Sequence, residues 1–166
     1  MSQVRLVGRG GVSDEYARDL FLSVVDDLHD WNPDLSAVHR PFTVLCALDA
    51  DGVDVNHLWD FATRLLDAGC MYVCAWGPRC EWVHDVFDAA LVGETGELPY
   101  GEDVMTTWHN DESLDEALWF AIYVADLPDA SIRSVLAVAS PPHAAQLERR
   151  LADTDQLSQD VLVEDE

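Results

Sequence analysis

Lysine is absent. All nine basic residues of this 166-residue chain are arginines, set against 22 aspartates and 10 glutamates, and the formal charge is −23. So few cations leave no basic footprint for phosphates, which argues against direct nucleic-acid binding. Isoleucine is nearly missing, with only Ile122 and Ile132. Long apolar runs are missing as well. None approaches the ~20 residues of a membrane span, and the opening MSQVRLVGRGG has nothing like the apolar stretch of a secretory leader. The expectation is a soluble, cytoplasmic protein without a membrane role. Cysteines number only four, Cys46, Cys70, Cys74 and Cys80, with no CxxC among them. A chain of this length, 49% hydrophobic, buries a real core without disulfides.

The acids are spread along the whole chain. That distribution favours adaptation to molar salt, where screening removes self-repulsion, or compositional drift in a GC-rich genome. A partner-facing acidic surface is the competing reading.

The pattern alternates strands and helices. Tyr16, Ala17, Leu20, Phe21, Val24, Val25 and Leu28 fall at three-and-four spacing behind Ser13, and predict a helix over 14–28. PFTVLCAL (41–48) reads as a buried strand. A helix capped by Asp54 or Asn56 follows and ends at Gly69. CMYVCAW (70–76) is a second strand, Gly77-Pro78 a corner, and a helix then runs to about Val92. DVMTTWH supplies a third strand. Ser113 with Glu116 makes a capping box for a helix over 114–125. SVLAVAS (134–140) is a fourth strand, and Pro141-Pro142 opens a helix to about Asp153. QVRLV is a candidate edge strand. Together these imply an α/β fold: a three-layer, Rossmann-like or flavodoxin-like sandwich with a four- or five-stranded, mostly parallel sheet. Residues 1–153 form one α/β domain on this reading, and 154–166 an acidic, frayed tail.

In such sheets ligands bind beyond the carboxyl ends of the strands. Those ends carry Asp49 and Asp51, then Cys74, Trp76 and Cys80, then His109 and Asp111, then Ser140. Cys70 and Cys74 lie about 13 Å apart along one strand, too far to share a zinc whose thiolates sit at about 2.3 Å. Cys80 and His84 share a helix face, and with His109 they make a weak metal set. They are placed on the flank of that helix's buried stripe, half-buried. His109 with Asp111 makes either an acid–base couple or a set of loop polar groups serving the next helix. No metal and no cofactor is expected.

Three short stretches carry resemblances. AWGPRC resembles the thioredoxin turn, but Gly77 stands where that motif has its attacking thiol. LDADG resembles the first motif of haloacid-dehalogenase-type phosphatases, which implies Asp49 as nucleophile and Asp51 beside it. Cys74 stands where that family has Thr or Ser, no lysine exists for its charge partner, and only Asp111 and Glu112 offer a last acidic motif. A simple turn is the favoured reading. CAWGPRCEWVHDVFD and MTTWHNDESLDEALWF together are similar to a family of small prokaryotic α/β domains of unknown function. That resemblance spans residues 43–125 and implies the α/β fold without any activity or site residue.

The sequence therefore favours a non-catalytic domain that binds a protein partner, as an inhibitor, immunity factor or regulatory subunit. Trp31, Trp59 and Trp76 are its candidate exposed aromatics, and Trp82 and Trp119 sit on core stripes. The alternative is a small hydrolase at the strand-end rim, phosphatase-like or Cys/His-dependent, using Asp49, Asp51, Cys80, His84, His109 and Asp111.

Overall fold

A computed structural model describes residues 3–164. Strand β1 (Arg5–Gly10) forms an antiparallel hairpin with β2 (Arg18–Val24). Then come β3 (Phe42–Ala47), α1 (Val55–Asp67), β4 (Cys70–Trp76), α2 (Cys80–Val92), β5 (Met105–Trp108), α3 (Leu114–Tyr123), β6 (Ser134–Ala139), α4 (Pro141–Ala152) and α5 (Thr154–Glu164). The six strands lie in the order β1-β2-β6-β3-β4-β5, and every neighbouring pair after the hairpin is parallel.

The result is a three-layer α/β sandwich. One core joins α1 and α2 to a sheet face through Phe61, Leu65, Val83, Phe87, Val44 and Leu136. The other sets α3, α4 and α5 on the opposite face through Leu118, Ile122, Leu147, Leu157, Leu45 and Val135. Strands β3 and β6 are buried at every position, as expected of parallel strands covered on both sides. Local signals act as the sequence predicts. The Asp54 side chain accepts from Asn56 N at the start of α1, and Ser113 with Glu116 closes both halves of a capping box on α3.

Three expectations are corrected. Residues 18–24 form a strand, not part of a helix, and the sheet has six strands rather than four or five. Leu20-Phe21-Leu22 fits both templates. As a strand it sends Leu20 and Leu22 into one core and Phe21 into the other, a two-sided burial that no single helix stripe provides. Second, residues 154–164 form α5 and not a frayed tail, because Leu157 and Val161 are buried. Arg150 anchors that helix, reaching Asp160 at 2.9 Å and Asp115 of α3 at 2.7 Å. Third, Trp31 is wholly buried, its indole N–H donating to Ser23 Oγ at 3.0 Å; Trp82 and Trp119 pack against the two cores as expected, each half-buried.

Among the described residues, one buried side-chain polar atom lacks a hydrogen bond, Thr43 Oγ1 on central strand β3. An unmade buried hydrogen bond costs roughly 1–3 kcal/mol. Thr43→Val keeps the shape and removes the orphan, so it should stabilise the chain by about 1 kcal/mol. The check is a urea midpoint that rises while the denaturant slope stays constant.

Candidate functional site

Because β2, β6, β3, β4 and β5 run the same way, the loops after Val24, Ala139, Ala47, Trp76 and Trp108 share one rim. After β3 the chain winds outward through β4 and β5, then crosses back to lay β6 on the other side of β3. The helices that follow β3 and β6 consequently sit on opposite faces, which opens a crevice between the two strand ends. A pocket of about 350 Å³ lies there, lined by Asp26, Asp27, Asp49, Asp51, Asp54 and His57 among others.

Asp49 is exposed in this crevice and already engaged. Its backbone N–H donates to Ser140 Oγ at 2.9 Å, and its carboxylate lies 2.9 Å from His143 Nε2. The His143 ring in turn packs edge-on to Trp76, with centroids 5.0 Å apart. Asp51 sits on the turn with Gly52, whose φ of +76° suits glycine. Of the hydrolase candidates only Asp51 joins Asp49 in this crevice; Cys80, His84, His109 and Asp111 do not line it.

The thiols are enclosed. All four cysteines are free and buried. Burial pushes the Cys46 thiol well up and raises Cys70 and Cys74 to about 12; Cys80 is also raised, again chiefly by burial. A thiolate is the reactive species, and none of these sites favours one. Cys80 and His84 are not the half-exposed flank that the helical wheel places them on, since both are buried. The turn between β4 and α2 presses them inward: Arg79 takes a left-handed conformation at the N-cap, and Gly77, at φ +109°, brings its α-carbon against the Leu48 carbonyl.

The two buried histidines are each held by a local network. His84 lies between Asp85 (3.1 Å from Nδ1) and Asp88 (3.3 Å from Nε2), with Thr106 Oγ1 also 3.1 Å from Nε2. Among the described residues, His84, Asp85 and Asp88 are the one group of three whose ligand atoms are close enough to share a metal. Cys80 and His109 are not in that group. His109 is 4% exposed. Its Nδ1 faces Glu112 Oε2 at 3.0 Å, its Nε2 faces Thr107 Oγ1 at 2.9 Å, and its ring packs on Phe120. Asp111 is exposed and takes no part; Glu112 holds the imidazole instead. This hydroxyl–imidazole–carboxylate line ties the end of β5 to the start of α3 within the wall of the protein.

A family model described as a domain of unknown function (DUF7684) matches residues 24–154. The chain belongs to that family. No curated protein and no solved structure matches it. The DUF7684 span begins at the last residue of β2 and ends at the first of α5. It therefore contains the rim, both histidine networks and the crevice, and it leaves out β1, nearly all of β2 and nearly all of α5.

Sequence reasoning missed His143 and Thr106. His143 follows Ser-Pro-Pro in the first turn of α4, where a side chain faces the neighbouring strand end; that placement is a usable signal. Thr106 could not be chosen over Thr107 without the register of β5 against β4.

Proposed function

We propose that this DUF7684 domain is a non-catalytic binding protein of the cytoplasm, and that its partner is a basic protein segment that adds as a strand to the free edge of β5. The observation that carries this is the edge itself. Among the described residues no strand lies on the outer side of β5, yet it presents Met105 at 46% and Trp108 at 43% exposure. Open edges invite pairing and are ordinarily blunted, and backbone pairing at an edge is a recurring mode of peptide capture. Acids flank the strand: Glu102 and Asp103 before it, and Asp85 and Asp88 on α2 beside it. A cationic strand therefore matches both its local surroundings and the charge of −23. The rest of the acidity, spread over the chain, fits salt adaptation or a GC-rich source. The hydrolase reading has less support, because the thiols are buried with raised pKa values and Asp49 and His109 do not share the crevice.

The test is titration with a synthetic peptide of alternating arginine and valine, followed by amide NMR. Shifts should concentrate on 105–108, and Met105→Ala with Trp108→Ala should weaken binding about tenfold, the scale of one aromatic anchor. A glutamate–valine peptide should not bind. Shifts centred on the Asp49 crevice, or unchanged affinity in the double variant, would end this reading.

A further inference from the structure

The opposite end of the sheet holds a different chemistry. An open cavity of about 1150 Å³ lies at the amino ends of β2, β6 and β3, against the C-terminal end of α3. Four of the nine arginines line it: Arg9, Arg18, Arg40 and Arg133. Only four of the 32 acids do so, namely Glu15, Asp19, Asp126 and Asp129. The lining is thus neutral (four positive, four negative), while the rest of the sequence carries five arginines against 28 acids.

The arginines are incompletely used. Arg18 is 8% exposed. Its Nη1 donates to Ala121 O at 3.1 Å, and its nearest carboxylate, Asp126, is 3.9 Å away, beyond hydrogen-bonding distance. Among the described residues its other guanidinium nitrogens make no hydrogen bond, yet neither is sealed off from solvent, since Thr43 Oγ1 is the only sealed and unbonded side-chain atom there. Arg18 thus lines the cavity with guanidinium donors that are neither bonded nor sealed. Burial lowers its pKa, an effect the Asp126 charge offsets in part. Arg9 meets Asp19 only at 3.5 Å, and Arg40 reaches the Asp67 carbonyl at 3.4 Å. Arg133 has no ion pair among the described residues. Tyr16 and Tyr123 add aromatic surface to the same walls.

Guanidinium groups with spare donors are fitted to carboxylates and phosphates, whose oxygens they bind in pairs of parallel hydrogen bonds. We propose that this cavity is a binding site for a small polyanion, a phosphate ester or a polycarboxylate, held by Arg18, Arg40 and Arg133. It lies at the far end of the strands from the rim and does not depend on the β5 edge.

The test is calorimetric titration of the whole chain with pyrophosphate and, separately, citrate. Potassium chloride holds ionic strength constant, so that general screening of the −23 charge is cancelled. Saturable binding of either anion is expected, with a higher melting temperature. Arg40→Gln with Arg133→Gln should weaken it at least about tenfold, as loss of charge-assisted hydrogen bonds predicts. Both positions are exposed, so folding is spared, and melting of the free variant verifies this. Arg149→Gln, outside the cavity, should bind within about twofold of the parent chain. Binding of pyrophosphate alone assigns the site to phosphate esters, and binding of citrate alone to polycarboxylates. No heat from either anion at matched ionic strength, or equal affinity in the double variant, overturns the proposal.

Discussion

Replacing Gly77 by alanine should cost roughly 2–6 kcal/mol, the sum of backbone strain and forced overpacking. Two independent penalties meet there. The residue has φ +109°, which side-chain-bearing residues rarely adopt. A β-carbon would also stand 2.4 Å from the backbone oxygen of Leu48, which has no flexible atom to move aside. The same short connection holds Leu48 N to Trp76 O at 3.3 Å, so relief of the clash would pull the ends of β3 and β4 apart. For a chain of this size the melting temperature should fall by roughly 5–20 °C. Gly52→Ala is the internal control. Gly52 also has a positive φ, +76°, but open space where the β-carbon would go, so only strain remains and the loss should be about 1 kcal/mol. Equal losses at the two glycines would show that the Leu48 contact is not what requires Gly77.

Trp31→Ala should be comparably damaging, at about 3–5 kcal/mol for a large buried aromatic. Trp31 lies outside any regular helix or strand, just after a short 3-10 turn. It packs on Phe61 with ring centroids 5.0 Å apart, and its carbonyl accepts from Arg64 of α1. Truncation would leave a cavity between the loop and α1 and would orphan the Ser23 hydroxyl in β2. Trp31→Phe refills most of the space and loses the hydrogen bond, so it should cost about 1 kcal/mol for the bond. Urea unfolding of the three proteins, read by far-ultraviolet circular dichroism because the tryptophan signal itself changes, gives both differences.

How far the sequence could be read is clear from particular elements. β3, β4, β6 and α1 to α4 were legible because each carries one unambiguous pattern and a terminal signal: Asp54 before α1, Ser113 with Glu116 around α3, Pro141 at the start of α4. β2 was not, since Leu20, Phe21 and Leu22 satisfy helix and strand spacing alike, and only pairing with β6 decides between them. The parallel arrangement correctly brought Asp49, Trp76, His109 and Ser140 to one rim. What lay beyond the sequence was partnership: Asp49 with His143, His109 with Glu112 in place of Asp111, and His84 with Thr106. Those pairings depend on strand register and helix rotation, which no spacing along the chain specifies. The arginine-lined cavity was invisible for the same reason. Its four cations are scattered from position 9 to position 133 and meet only when β2, β3 and β6 begin side by side.

The enclosure of Cys46, Cys70, Cys74 and Cys80 has a consequence for how the molecule ages. In its native form it offers oxidants and electrophiles almost no thiol, yet Cys70 and Cys74 share β4, and Cys80 begins the helix that follows it. Loss of that one strand from the sheet would bare three sulfurs at once, within eleven residues of chain. Damage at cysteine would then be concentrated in molecules that had already come apart, where crosslinking could bar their return, while the thiols of intact copies would pass unmarked.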